Sequence, residues 1–193
     1  TEGEANIYFS FDRMEIVGGR VWMSPPFESR VIEETETSRR LVNADGLIGE
    51  IPKDGHSTIP HFTEALIKTP EDWDREKAER FDPADPKRQI DVDALVLAYP
   101  SDRDYPVGVN CGSMIGKVRD MLTFEGLAYS IYDYPAMVED MVEISCQLVE
   151  GFLDQILGRI DFDFASGWED ICFRNGPIVS MDFYDSVVVP RYK

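Results

Sequence analysis

The chain has 193 residues, 43% of them hydrophobic and 29% charged, which suits one globular domain with a buried core. Nineteen Lys and Arg stand against 37 Asp and Glu, a net charge of −18 that argues against nucleic acid and anionic membrane surfaces as partners, because such a surface repels phosphates. No run approaches the roughly 18 apolar residues of a membrane span, and no secretory signal pattern is present.

The first strand candidate runs from Ile7 to Phe11 and ends at Asp12. After the Pro25-Pro26 break come three short segments, Ser29–Glu34, Arg39–Asn43 and Leu47–Ile51. They are separated by Glu36-Thr37-Ser38 and Ala44-Asp45-Gly46. Asp-Gly tolerates positive φ, so the spacing predicts an antiparallel meander over 29–52, a charged excursion on the surface. Thr69 and Pro70 predict a helix over Glu71–Phe81 with Thr69 as its N-cap and acids in the first turn. Asp91–Tyr99 reads as a short helix.

The second half changes character. Pro106–Gly112 reads as a buried strand that ends on a glycine turn. Met114–Leu122 and Glu125–Ile131 read as short helices, and Asp133 as the cap of a long helix from Tyr134 to Leu157, stopped by Gly158. Met137, Met141, Ile144, Leu148, Phe152 and Ile156 fall on one face of that helix, the pattern of a core stripe. A strand over Arg159–Ala165 follows. Ser180 then caps a last helix, Met181–Val189. Strand, helix, strand, loop, helix is the βαβ rhythm of a parallel sheet. The expected class is α/β, a (β/α)8 TIM barrel present as a partial barrel, in a single domain over 1–193. Such barrels usually need about 250 residues, and the two ends read as cut.

In a parallel barrel the chemistry sits at the carboxyl ends of the strands. Asp12, Asn110, Ser113, Trp168, Glu169, Asp170 and Arg174 are therefore the candidates. Glu169 or Asp170 could act as general acid or base, since burial and a neighbouring charge move a carboxyl towards neutrality. Trp168 suits a ligand wall, and Arg174 suits a substrate carboxylate. Asn110, Ser113 and Asp12 could offer polar contacts. Each has a plainer reading: loop acid, core aromatic, surface ion pair or turn hydrogen bond. Cys111, Cys146 and Cys172 are widely spaced with no C-x-x-C pattern, so they read as buried structural thiols in a reducing cytoplasm. His56 and His61, five apart on a loop, suggest no metal site, and no metal ligand is assigned within the chain.

The stretch Tyr105–Leu127, containing Val107-Gly108-Val109-Asn110-Cys111-Gly112-Ser113, resembles a barrel strand and its following helix in the uroporphyrinogen decarboxylase superfamily. So do Tyr134-Pro135 at the head of the long helix and Trp168-Glu169-Asp170 leading through Gly176-Pro177 and Ser180 to Pro190-Arg191-Tyr192-Lys193. The best-matching segment is 105–193. The front half, with Phe9-Ser10-Phe11-Asp12 and the meander, is similar to the divergent, methyltransferase-like branch. Phe9–Asp12 departs from the decarboxylases' Phe-Ser-Asp strand end.

The resemblance implies a TIM barrel enzyme. One branch moves methyl groups to or from corrinoid proteins or thiols, with zinc held by a His-x-Cys and a later Cys, a set expected beyond Lys193. The other branch is the cofactor-free decarboxylase, a lyase of porphyrin biosynthesis. A non-catalytic binding protein on the same fold is the third reading. Uroporphyrinogen is a polyanion whose desolvated carboxylates need cations, and an acidic chain is poorly made for it. Methyl transfer is therefore the preferred expectation. Zinc and a corrinoid partner belong to the whole protein, with a small-molecule substrate and a homodimer as further expectations. An open partial barrel is expected to self-associate.

Overall fold

The computed structural model describes Ala5, residues 8–54 and residues 61–193. Its first strand, β1, is Glu15–Val17. This corrects the expected Ile7–Phe11 strand: Ile7 lies outside the described residues, residues 8–9 are helical, and Ser10 takes φ 53°. The pairing partner decides the position. Glu15 N donates to Pro106 O at 3.2 Å, and in this register Val17 is buried, whereas Phe9 and Phe11 stack on each other and stay exposed.

β2 (Arg30–Glu34), β3 (Ser38–Val42) and β4 (Ile48–Pro52) form the expected meander, and a fourth strand, β5 (His61–Glu64), extends it. The β3–β4 turn is built by its own residues. Asn43 Oδ1 accepts from Asp45 N at 3.0 Å and Leu47 N at 2.9 Å, and Gly46 takes φ +76°, which only glycine adopts at no cost. Trp22 Nε1 donates to Asp45 Oδ1 at 2.6 Å and ties this turn to the segment after β1.

α1 (Pro70–Arg80) begins as expected at Thr69. The Thr69 side chain accepts from Asp72 N, the Asp72 side chain accepts from Thr69 N, and the helix is closed by this capping box. Its Trp73 is buried. α2 (Val92–Ala98) is the predicted short helix. Between them Arg88, 6% exposed, donates to the carbonyls of Arg20, Trp22, Arg80 and Asp82, so a buried guanidinium fastens the post-β1 segment to α1.

β6 (Val107–Asn110) is the middle strand of the parallel sheet. α3 (Ile115–Asp133) covers both predicted short helices as one span that breaks at Thr123 (φ 64°, ψ 170°). The break frees the Met121 carbonyl, which accepts instead from Leu66 N and Ile67 N at 3.1 and 3.3 Å. α4 (Pro135–Ile156) starts from Tyr134, with no side-chain cap; the expected cap, Asp133, is the last residue of α3. Tyr134 both closes α3 and occupies the cap position of α4, so Asp133 stands one residue too early to cap it. The whole Met137–Ile156 stripe is buried, Met141 and Ile156 completely.

β7 is Phe164–Ser166, shorter than the expected Arg159–Ala165, because Gly158 turns at φ +76° and Arg159 N and Ile160 N bond back to Ile156 O. The order is β1–β6–β7, all parallel, with Val17, Val109 and Ala165 in register. Phe152 and Ile156 of α4 close one face over Val17, Val107 and Val109. Burying each such side chain contributes about 1.5–3 kcal/mol. On the other face the Phe164 ring lies across Gly108, where an added Cβ would sit 2.3 Å from it. β8 (Cys172–Phe173) and β9 (Gly176–Pro177) form a small surface hairpin, and α5 (Met181–Phe183), capped by Ser180, continues as a π turn over Tyr184–Val188 and a 3-10 turn over Val189–Tyr192.

The class is mixed α/β: a three-strand parallel sheet plus a four-strand antiparallel meander. Among the described residues the parallel strands do not close into a barrel; β1 and β7 are both edges. No described helix is long and apolar enough to cross a membrane. Of the three thiols only Cys146 is buried; Cys111 is half-buried, and Cys172 is exposed because its hairpin stands on the surface, a correction to the expected buried set.

Candidate functional site

The carboxyl ends of β6 and β7 are stitched together by backbone bonds. Cys111 N donates to Ser166 O at 2.7 Å, and Trp168 N donates to Gly112 O at 3.1 Å. Gly112 turns the chain at φ +67°. Asn110 supports that turn, its Oδ1 accepting from Gly112 N at 2.7 Å, so its oxygen is spent locally.

The turn aims the amino end of α3 at the β7 loop. Such an end presents unpaired N–H groups and a partial positive charge. Glu169 fills it. Its Oε1 accepts from Met114 N (2.5 Å) and Ile115 N (3.1 Å), and its Oε2 from Gly116 N (2.9 Å) and the Ser113 hydroxyl (3.0 Å). The Tyr192 hydroxyl also donates to Oε1. A carboxylate offers about four acceptor sites, and five donors already surround this one. Glu169 therefore holds α3 against β7, and taking a substrate proton would require dismantling that cap. Tyr192 is held in its neutral form: burial raises its phenol well above the usual value, with the hydrogen bond to Glu169 and that carboxylate's charge adding to the effect. The Tyr184 phenol is likewise raised, by burial first and then by the Glu169 charge.

Asp170 points the other way and forms an ion pair with Arg119, which also binds Asp120 at 2.7 Å. Its side chain keeps 46% of its surface open, so this carboxylate stays reachable from solvent. Trp168, 41% exposed, lays one ring edge where a Cβ on Gly116 would come within 2.5 Å, which is why glycine stands there. Lys117 Nζ lies 4.2 Å from the Trp22 ring centroid and 5.7 Å from that of Trp168, within cation–π range of both. A cavity of about 340 Å³ opens beside Trp22 at the carboxyl end of β1, lined by Gly19, Arg20, Val21 and Met23.

Of the expected residues, the fold thus brings together Asn110, Ser113, Trp168, Glu169 and Asp170. Arg174 stands exposed at the tip of the β8–β9 hairpin and has no ion pair among the described residues. Asp12 precedes β1 and so lies at the amino edge of the sheet, opposite Asn110 and Trp168. Its expected place at a strand's carboxyl end does not hold, because the strand begins after it. Arg119, Lys117 and Tyr192 belong to the site and escaped the sequence reading. For the first two a signal existed: cations within the opening turns after a strand-end glycine. For Tyr192 there was none.

Among the described residues no group of three or more His, Cys, Asp and Glu is placed to hold a metal ion. His61 is exposed on β5 opposite Glu50, and His56 lies outside the described residues. Compared with protein-family models, with curated proteins and with solved structures, the chain matches none.

Proposed function

We propose that the chain carries the substrate-facing strand ends of an enzyme like those of the uroporphyrinogen decarboxylase superfamily, a (β/α)8 barrel acting in cytoplasmic methyl transfer to a thiol or from a corrinoid protein. The observation that supports it is the joining of the β6 and β7 carboxyl ends, which gathers Ser113, Trp168, Glu169, Asp170 and Arg119 at one edge of a parallel sheet. Ligands of parallel α/β folds bind at that edge. Trp168 forms a wall, and Asp170, oriented by Arg119, orients the substrate or exchanges a proton with it. Glu169 positions both neighbours by fixing the loop to α3. The described residues do not make up a zinc site, so no step is assigned to zinc.

In the transfer, the thiol gives its proton to Asp170, the resulting thiolate forms the new S–C bond, and methyl leaves cobalt without its bonding pair, so Co(III) becomes Co(I). Purified protein given methylcobalamin and a small thiol should show that conversion by absorbance, and Asp170→Asn should slow it at least about 10²-fold, a usual size for a lost acid or base. Rates no faster than the thiol and methylcobalamin alone reject methyl transfer.

Non-catalytic binding on the same fold is the second reading, and Glu169 favours it: the carboxylate of the site with the most hydrogen bonds is fully used in holding the helix. On that reading Asp170→Asn leaves ligand binding unchanged and no variant alters a rate. Uroporphyrinogen decarboxylation is the least well served. The site's cations are Lys117 and Arg119, and Arg119 already bridges two acids.

A further inference from the structure

A groove of about 520 Å³ lies between α1 and the α3–α4 corner, remote in its residues from the strand ends. Its floor is apolar and stiff. Trp73, 2% exposed, donates its indole N–H to Asp140 Oδ2 at 2.6 Å, and Met137 packs into the core beside it. Pro70 and Pro135, each opening a helix, form fixed walls, and the Tyr134 ring stands half-exposed at the side. Trp73 and Met137 are almost wholly covered and back the groove from beneath, so the apolar surface it offers a ligand is that of Pro70, Tyr134, Pro135 and Ala136.

The charges choose the ligand. Asp140 is spent: besides the indole, it takes Lys77 Nζ at 2.8 Å on both oxygens. That also spends Lys77, the one cation among the lining residues. Asp74 and Asp133 stand on the rim, exposed, with no ion pair or hydrogen bond among the described residues. Three carboxylates therefore face one ammonium. The amino end of α4 also opens here without a side-chain cap and contributes the opposite sign, but a helix end counts for only about half a charge. The carboxylates win, and an anion is repelled.

We propose that this groove binds a small organic cation, an amine whose apolar body rests on Pro70, Tyr134, Pro135 and Ala136 while its ammonium lies between Asp74 and Asp133. Aromatic faces next to carboxylates suit such a group twice, through ion pairing and through cation–π attraction to Tyr134. The site is independent of the strand-end reading, and its failure leaves that reading intact.

The test uses three probes of one shape: phenethylamine, phenethyl alcohol and phenylpropionate, that is, cation, neutral and anion. Each is titrated into the purified protein while the Trp73 indole N–H resonance, assigned with Trp73→Phe, is followed by NMR. The amine should bind saturably and shift that resonance. The alcohol should bind more weakly, and the anion not at all. Asp74→Asn with Asp133→Asn should weaken the amine about tenfold, the sum of two exposed ion pairs, and leave the alcohol unchanged. Ala136→Trp, at an exposed lining position outside the core, should block all binding with the folded spectrum kept. Equal affinity for amine and alcohol, an amine affinity unmoved by the double substitution, or no saturable shift in the folded wild-type protein would each overturn the proposal.

Discussion

The Tyr192 hydroxyl donates a hydrogen bond to Glu169 Oε1, so the last described turn of the chain buttresses the carboxylate that caps α3. Met114 N lies 3.2 Å from the same phenol oxygen and closes a three-membered cluster of helix amide, carboxylate and phenol.

Removing the cap should be costly. Glu169→Ala strips the partners from the amides of Met114, Ile115 and Gly116 and from the buried Ser113 hydroxyl. The expected loss is about 2–3 kcal/mol, combining a lost N-cap with unpaired donors. Urea unfolding measures it. A loss under about half a kcal/mol would mean that the cluster does not hold the helix.

Alkaline unfolding should depend on Tyr192. Burial, then the bond to Glu169, raises its folded-state value above the unfolded one. A raised group lends stability that is fully present below the unfolded value, about pH 10 for a tyrosine, and that fades as pH climbs through the folded one. Stability should therefore fall above about pH 10, and Tyr192→Phe should flatten that fall while costing about 0.5–1.5 kcal/mol at neutral pH. Melts from pH 8 to 11 on both proteins decide it.

The thiols should react in two classes. Cys172 is exposed, while burial raises the Cys111 thiol. Cys146 is pushed up to about 11, by burial first and then by the charges of Glu150 and Glu143. One thiol should react rapidly with a disulfide reagent at pH 8, and Cys172→Ser should abolish that phase. Two fast thiols would show that Cys111 or Cys146 is more open than the fold implies.

Thr123→Gly should stabilise the protein. A β-branched residue at φ 64°, ψ 170° sits in a region that costs about 1–3 kcal/mol outside glycine. The lost Oγ1 bond to Gly126 N is long, 3.4 Å, and the extra chain entropy of glycine costs about 1 kcal/mol. The balance is a gain of up to about 2 kcal/mol, read as a higher urea midpoint with an unchanged slope. A loss of stability would mean that the break is made by the Thr123 side chain itself.

By itself the sequence determined what is decided within one helix or one turn. The Met137–Ile156 stripe, the Thr69 cap of α1, the Asn43–Gly46 turn and the parallel βαβ order all depend on neighbours a few residues apart, where periodicity and capping chemistry act directly. Tertiary structure decided where β1 begins, because a three-residue strand takes its position from the partner it pairs with, and this moved Asp12 to the far edge of the sheet. It also decided what Glu169 does. Adjacent acids after a strand look alike in sequence. One turns to amides more than fifty residues earlier and the other to Arg119, since the amino end of α3 accepts only the carboxylate that the Gly112–Trp168 bond holds in front of it.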